Sequence, residues 1–350
     1  MNIGRRRAVW TLAFCLAFLA AGIILKEAVA PALVSRRLIS EVRKNCGTCE
    51  LSLGRVRLSL LPPALIGVNV GFTGGTPNAT VVRAEAKRVY APFALFPLFK
   101  SRFRVGRVEI EQPSVDVTEG DLYGPSSSED GTARPFDLEI EGVEVKKGSF
   151  TYAREYPGRK GSLEVSGINA AAGPAGTSER LRNMDVAAGA EGLLEHSGRF
   201  KLQVRARLFA KAPDADIDLQ IAGQDLAALN AFFEPSDGVR LKGALIEGRS
   251  SVAIRGAGLK ASSYVRYKGL KVRIKKNGER SGLSAFFQTF LASVTIRKQN
   301  ADSGNYDRTG EVGLERKPKE TVISFALRGM KEAAMKVSSQ GPGTGSHGGK

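Results

Sequence analysis

Apolar and polar side chains alternate along most of the chain after Leu51. The alternation is clear in runs such as Val56-Arg-Leu-Ser-Leu and Leu202-Gln-Val-Arg-Ala, and glycine or proline residues separate the runs. Successive side chains of a strand point to opposite faces of a sheet, so this period-two pattern is typical of strands that bury one face. The sequence therefore predicts a mainly β fold, with about a dozen strands in a serial antiparallel sheet that has one apolar face.

Only a few segments have helical character. Two others are rich in glycine, serine and charged residues and are predicted to be disordered, residues 120–134 and the tail from Ser338. Short amphipathic helices can cover a sheet edge or rest on a membrane. The segments with helical or compact apolar character are Ala91–Lys100, Asp225–Phe233, Ser284–Val294 and Glu320–Lys336.

An uncharged apolar run, Ala8–Leu25, follows Arg5-Arg6-Arg7 near the N-terminus. Its length of about 18 residues is close to the shortest helix that spans a bilayer, and basic residues before such a helix stay cytoplasmic. The sequence thus predicts a single-pass anchor in a bacterial inner membrane, with a cytoplasmic N-terminus and a periplasmic body. The alternative is a cleaved signal peptide, because Ala28-Val29-Ala30 resembles a cleavage site. Helical spacing from Lys26 to Lys44 predicts a membrane-proximal helix after the run.

The chain is strongly basic, with 52 Lys and Arg against 35 Asp and Glu and a net charge of +17. Residues 240–336 hold 21 basic and 8 acidic residues, so the excess belongs to the C-terminal third. Such a charge attracts polyanions, either nucleic acid or anionic lipid head groups. Export to the envelope excludes nucleic acid as the expected partner.

One basic segment is a candidate for contact with anionic head groups. It surrounds Gly269, where Tyr264 and Tyr267 accompany the cations, and it predicts a strand pair with one basic and one apolar face. The alternative is an ordinary solvated face of a sheet. The candidate residues are Arg266, Lys268, Lys271, Arg273 and Lys275.

Cys46 and Cys49 form a CxxC motif ahead of the first predicted strand. A redox pair, half a zinc site and a small structural disulfide all use this spacing. A catalytic pair usually opens a helix, and no second CxxC is present, so export favours a structural disulfide. Cys15 falls in the apolar run and is expected to be an inert filler.

Groups that could support catalysis or metal binding are scarce. The chain has two histidines, His196 and His347, and the second lies in the Gly/Ser tail. Three aspartates in Pro213-Asp-Ala-Asp-Ile-Asp lack the glycine and the closing glutamate of a calcium loop, which favours a solvent-facing strand edge. The sequence predicts no enzyme activity, no cofactor and no metal site.

The order of segments resembles the AsmA-like family, which is related in architecture to the TamB and YhdP proteins. The similarity is most specific over about 80 residues after the anchor, and a C-terminal part also matches through Phe290-Leu-Ala-Ser-Val-Thr-Ile-Arg and Gly310-Glu-Val-Gly-Leu-Glu-Arg. Residues between Gly120 and Gly238 match only in strand rhythm. The N-terminal segments are Val56-Arg-Leu-Ser-Leu-Leu-Pro, Leu65-Ile-Gly-Val-Asn-Val, Val82-Arg-Ala-Glu-Ala-Lys-Arg-Val, Phe93-Ala-Leu-Phe-Pro-Leu-Phe and Gly106-Arg-Val-Glu-Ile-Glu-Gln-Pro-Ser-Val-Asp-Val.

This resemblance implies an open, U-shaped β-groove with an apolar inner face and a role in lipid movement or outer-membrane homeostasis. The implied partners are a phospholipid or glycolipid, the inner membrane and other envelope proteins. The alternative is a non-catalytic assembly or scaffold protein that acts through protein contacts. A dozen strands at about 4.8 Å make a groove of about 60 Å, too short for a complete bridge between membranes. The candidate groove residues are Leu202, Val204, Leu219, Ile221, Val252 and Ile254.

These expectations divide the chain into six segments. The anchor and the membrane-proximal helix with its CxxC motif come first, followed by two strand regions that a flexible loop separates, and a disordered tail comes last. Their predicted bounds are 1–26, 27–50, 51–119, 120–135, 136–336 and 337–350, in which 120–135 is the loop.

Overall fold

The computed structural model describes residues 30–75, 80–94, 102–119, 137–156, 159–176, 181, 184–207, 214–274, 300, 308–317 and 322–339. Within these residues the protein is mainly β, as predicted, and all of its strands belong to a single 13-stranded sheet. The two predicted strand regions, 51–119 and 136–336, therefore contribute to one sheet.

Thirteen strands and three helices make up this part of the chain. The helices are α1 (Ala30–Asn45), α2 (Asn230–Asp237) and α3 (Val322–Ser339). The strands are β1 (Glu50–Leu60), β2 (Pro63–Gly75), β3 (Thr80–Pro92), β4 (Arg102–Glu119), β5 (Asp137–Tyr156), β6 (Arg159–Gly173), β7 (Ala175–Gly176), β8 (Val186–Leu194), β9 (Gly198–Ala206), β10 (Asp214–Asp225), β11 (Val239–Arg255), β12 (Gly258–Ile274) and β13 (Thr309–Glu315).

Strand order in the sheet follows chain order from β1 to β13, apart from β7, which pairs beside β6 on β5. Neighbouring strands are antiparallel, with one exception that corrects the serial antiparallel prediction: β4 and β5 are parallel. Parallel neighbours need a long crossover of a dozen or more residues, and residues 120–136 provide that length. In the described residues β1 pairs only with β2, and β13 only with β12, so the sheet is open.

Six neighbouring strands bend at positions that lie opposite or next to one another in the register. On both sides of each bend the pairing is regular, as where Leu53 pairs with Val70 and Arg55 pairs with Val68. The line formed by these bends is here named the crease. It passes through Gly54, Asn69, Lys87, Gln112, Lys147 and Gly167.

Backbone angles explain the crease. Asn69, Gln112 and Lys147 have φ values of 52°, 49° and 55°, in the left-handed region that side chains other than glycine rarely adopt. Each bend also changes the phase of the apolar alternation, from Leu51 and Leu53 to Leu58 and its neighbours in β1. Apolar positions on the two sides of a bend consequently lie on the same side of the sheet.

The strands bend toward their apolar side. A Cβ atom added at Gly67 would come within 2.7 Å of Val70, and one added at Gly148 would come within 3.1 Å of Val145. Residues three apart in a regular strand point to opposite faces, so this convergence shows that the bend closes on the apolar side. The crease ends at β6, where a bulge after Ser166 absorbs the phase change and β8 continues without a bend.

Helix α3 supplies the main buried core. Phe325 is fully buried and packs with Ile254 of β11 and Leu259 of β12. Gly329 allows close approach, because an added Cβ would meet Leu259 and Ala261. The structure places α3 at Val322–Ser339, whereas the sequence predicted Glu320–Lys336, so helix continues into the predicted tail.

Helix α2 lies later in the chain than the predicted Asp225–Phe233. Asp225 is the last residue of β10, and its carboxylate accepts a hydrogen bond from the amide of Ala227 at 2.9 Å, which starts a turn ahead of the helix. Gly238 ends the helix in the left-handed conformation. The side chain of Asn230 then makes two hydrogen bonds to the backbone of Leu241, at 2.7 and 2.9 Å, and holds α2 against β11.

Several predictions fall on residues outside the described part of the chain. Among the helices that the structure describes, none is long and apolar enough to span a membrane. The predicted Ala8–Leu25 anchor, the loop 120–135, the Ser284–Val294 helix and Lys275 all lie outside the described residues. Of Ala91–Lys100, predicted as a turn or helix, the structure describes Ala91 and Pro92 as the end of β3.

Candidate functional site

One register row crosses the whole sheet on its apolar side. Each member pairs directly with the next, from β1 to β13, so all of them lie on the same face, here named the apolar face. The opposite face carries most of the charged side chains. The row consists of Val56, Gly67, Val89, Ile110, Val145, Ala170, Ala190, Leu202, Leu219, Ser250, Ser263 and Gly310.

Two serines interrupt this row where α3 covers it. The hydroxyls of Ser250 and Ser263 are hydrogen-bonded at 2.8 Å, and Ser263 also donates to the carbonyl of Met330 in α3 at 3.2 Å. Ser263 is fully buried, and these bonds satisfy its hydroxyl. The polar interruption therefore fastens the helix to the sheet and leaves the uncovered part of the row apolar.

All six candidate groove residues lie on the apolar face, but they fall into two groups. Val252 and Ile254 are 1% and 0% exposed because they form the core beneath α3, so they line no open groove. The other four, Leu202, Val204, Leu219 and Ile221, are half-buried on β9 and β10.

A small apolar cavity of about 160 Å³ lies on the uncovered part of the face. Four alanines form its floor on β6 and β8, and larger side chains flank them on β5 and β9. Its volume equals that of about five water molecules, which suits a short length of hydrocarbon chain. The lining side chains on the apolar face are Val143, Val145, Ala170, Ala172, Ala188, Ala190, Leu202 and Val204.

Helix α2 lies at one end of this region. It contacts β5 and β6 on one side and β11 on the other, although three strands separate β6 from β11 in the sheet. The ring of Phe232 lies 5.7 Å from that of Tyr152 on β5. Helix α2 therefore bridges two distant strands over the curved sheet, and α3 covers the last three strands.

A larger cleft, about 1050 Å³ in volume, has both charged and apolar lining residues between β4 and β10. Some of its charged groups form pairs, in part with residues beside the cleft. Lys146 donates to Glu109 at 2.9 Å, which raises the pKa of Lys146 and lowers that of Glu109. Arg255 donates to Asp216 at 2.7 Å, and that bond raises the pKa of Arg255. Other charged lining residues form no ion pair among the residues that the structure describes, including Arg107, Glu141, Glu191, Lys201 and Arg205.

The three aspartates of β10 are held by neighbouring strands. Asp214 forms an ion pair with Arg255 at 3.1 Å, and Asp218 accepts a hydrogen bond from Ser251 at 2.6 Å. No group of side chains among the described residues could hold a metal ion.

The predicted basic strand pair is one bent strand. Arg266, Lys268, Lys271 and Arg273 all lie on β12, which bends at Gly269 with φ at 64° instead of turning back. Glycine tolerates this angle, so the pairing with β11 continues past the bend. Arg266 is half-buried opposite Glu247, whereas the other three cations are exposed.

Cys46 and Cys49 are disulfide-bonded in the structure, with Cα atoms 5.3 Å apart. The amide of Cys46 donates to the carbonyl of Val42 at 2.9 Å, so the bridge directly continues α1. Cys49 is buried against β2, where a Cβ added at Gly74 would come within 2.9 Å of its sulfur. The disulfide joins the end of α1 to the first edge of the sheet.

The periodicity of the strands did not predict the crease, although a signal for it is present in the sequence. In β5 the apolar positions shift from Val143 and Val145 to Phe150 and Tyr152, which is a change from one phase to the other without a turn between them. A phase change at corresponding points of successive strands indicates aligned bends.

Comparison with known proteins adds no identification. The chain matches no protein-family model, and it matches no curated protein.

Proposed function

We propose that this protein is a membrane-anchored periplasmic protein of AsmA-like type, which holds the acyl part of a phospholipid or glycolipid on its apolar face and supports outer-membrane homeostasis. The observation that carries the proposal is the continuous apolar row, which extends beyond α3 over β1–β10 while the strands of β1–β6 bend toward it. Soluble proteins rarely expose a contiguous apolar surface unless it binds something apolar.

The shape of the site suits an extended apolar chain. Paired positions run across the strands, so the row follows the crease as one long trough, the U-shaped groove of this proposal. The alanines of β6 and β8 make the floor lowest at the 160 Å³ cavity. Burying each methylene of a hydrocarbon chain contributes about 0.8 kcal/mol, so ten methylenes along this trough suffice for stable binding.

The helices limit how far the bound chain extends. Helix α3 fills the apolar face over β11–β13 with its own core residues, so the proposed groove is open toward β1 and closed toward β13. A groove closed at one end suits a protein that holds a lipid or passes it back through the same opening. The apolar run 8–25 precedes α1, whose end the disulfide joins to β1, and the open end would then lie nearest the membrane.

Site-specific photocrosslinking in cells tests this function with a matched pair of adjacent positions. Leu202 lies on the apolar face, and Gln203 is exposed on the opposite face of the same strand. We expect p-benzoylphenylalanine at position 202, but not at 203, to yield an adduct with the mass of a lipid in the full-length protein. Equal lipid labelling at both positions, or none at either, would contradict the proposal.

A second candidate is envelope assembly through protein contacts, and one observation favours it. Among the described residues β1 pairs with a strand on one side only, although α1 also contacts it, and an edge without a paired strand can accept a strand of another protein. Protein adducts from an exposed β1 position such as Arg57, without lipid adducts from position 202, would favour this candidate.

A further inference from the structure

Two pairs of like charges face each other directly across β11 and β12. Lys242 pairs with Lys271, and Arg240 pairs with Arg273. Side chains directly opposite in an antiparallel pair have Cβ atoms about 5 Å apart, where like charges repel and destabilise the sheet. A negatively charged partner would offset this repulsion and stabilise the arrangement.

Only one of these cations has an acidic partner within the described residues. Arg240 donates to both carboxylate oxygens of Glu234, at 2.9 and 3.0 Å. Lys242, Lys271 and Arg273, together with Lys268, make no ion pair or side-chain hydrogen bond in the described part of the chain, and all four are exposed. These four residues are here named the basic patch.

The bent backbone gathers the basic patch. Lys268 and Lys271 are three residues apart, so in a regular strand they would point to opposite faces. The register shifts between Lys242 and Ala244, where Gly243 has φ at 110° and lies against Gly269 with φ at 64°. Both lysines are exposed after this shift, whereas Tyr267, next to Lys268 in the chain, is only 4% exposed.

We infer that the basic patch is a docking surface for the anionic head groups of a phospholipid bilayer. The patch is an open array on two strands, and three of its four cations are lysines, whose compact ammonium groups interact as point charges with a diffuse layer of negative charge. Residues 1–29 precede α1 and contain the apolar run Ala8–Leu25, which would keep the protein beside a bilayer. The inference goes beyond the proposed groove and does not require a lipid on the apolar face.

The test measures binding of the full chain to immobilised vesicles. The protein is held in a phosphatidylcholine nanodisc, so that its apolar run is already occupied. Vesicles of phosphatidylcholine alone and of phosphatidylcholine with phosphatidylglycerol are then compared at physiological salt, where exposed charges more than about 8 Å apart are screened. We expect binding only to the vesicles that contain phosphatidylglycerol.

A double variant and its charge-matched control locate the surface. Lys242→Gln with Lys271→Gln should weaken binding about 30-fold, because each cation near an anionic surface contributes about 1 kcal/mol. Arg55→Gln with Arg57→Gln removes the same charge from exposed positions of β1 and should leave binding nearly unchanged. Equal losses in the two variants would show that only net charge matters and would overturn the inference.

Three further readouts distinguish the remaining outcomes. Thermal stability of the patch variant should be equal to the wild type or higher, since a repulsive pair is removed, so lost binding cannot be ascribed to unfolding. Equal binding to both kinds of vesicle, or tighter binding to a short DNA duplex than to anionic vesicles, would overturn the membrane assignment. Lipid crosslinking at position 202 should persist in the patch variant, which separates a failure of this inference from a failure of the groove.

Discussion

The two halves of the sheet maintain their shapes by different means. In β1–β6 much of the shape comes from the backbone, because aligned bends at Asn69, Gln112 and Lys147 fold the strands, while α1 contacts β1 and α2 contacts β5 and β6. In β10–β12 the bends fall on glycines, and α3 packs over the apolar face of β11 and β12. The comparison shows two ways of shaping one sheet: left-handed residues within the strands of β1–β6, where the apolar face is largely open, and helix packing over β11–β13, where it is covered.

The largest expected effect tests the packed half. Phe325→Ala should lower the free energy of unfolding by about 3–5 kcal/mol, because it empties a fully buried site between α3 and the sheet. Denaturant unfolding of the full chain measures the change. Leu327→Ala on the same helix is the control, since Leu327 is 60% exposed and its loss should change stability by less than about 0.5 kcal/mol. A small effect at Phe325 would mean that α3 is not part of the cooperative fold.

A second substitution tests how closely α3 approaches the last strand. Gly310→Ala places a Cβ against the backbone of Ala333 in α3 and should destabilise by about 1–3 kcal/mol. Gly313→Ala lies on the same strand, where an added Cβ meets nothing nearer than 4.0 Å. Comparable melting temperatures for the two variants would contradict the close contact between β13 and α3 at Gly310.

The crease itself is tested at Asn69. Asn69→Val should destabilise by about 1–2 kcal/mol, because a β-branched side chain resists a φ of 52°, whereas Asn69→Gly should be nearly neutral. Gln203→Val on β9 provides the contrast, since that strand has no left-handed residue and favours valine. If valine were tolerated equally at both positions, a left-handed residue at Asn69 would not be what bends β2.

The smallest expected effect concerns the pair formed by Glu109 and Lys146 on β4 and β5. The hydrogen bond lowers the pKa of Glu109 below 4.5 and raises that of Lys146 above 10.5, so the pair stabilises fully between those values. The contribution from Glu109 is lost as pH falls through its lowered pKa, and that from Lys146 as pH rises through its raised pKa. Both groups are exposed, so the effect is small and salt weakens it.

Measurement of stability against pH for Glu109→Gln checks this pair. The deficit of the variant relative to the wild type should shrink as pH falls below 4.5 and should shrink further at high salt. Glu191→Gln on β8 serves as the control, because no ion pair of Glu191 is found among the described residues. A deficit independent of pH would show that the carboxylate acts through packing.

The sequence was sufficient to predict strands and their apolar face, because period-two alternation is a local signal. The candidate groove residues Leu202, Leu219 and Val252 lie on one face in the register. The sequence could not show that α3 buries Val252, since helix docking depends on contacts between residues far apart in the chain. The parallel pair of β4 and β5 was missed for a similar reason, because strand direction depends on the path of residues 120–136.

The basic patch illustrates the same limit at the candidate site. The sequence singled out Lys268, Lys271 and Arg273 from their density, but Lys242 belongs to another strand and joins them only through the register. Arg266 was included because it lies close in sequence, and the structure distinguishes it because it is half-buried. The density of charged residues along the chain thus predicts where a basic surface lies, but not which residues form it.

The aligned bends also bear on how such a chain can change in evolution. A single inserted or deleted residue in β2 or β3 would move one bend out of line with its neighbours and turn half a strand over. A duplicated or lost hairpin, by contrast, keeps every remaining bend aligned. Descendants of this protein should therefore differ in length by whole strand pairs across β1–β6, while single-residue changes in length collect in the turns.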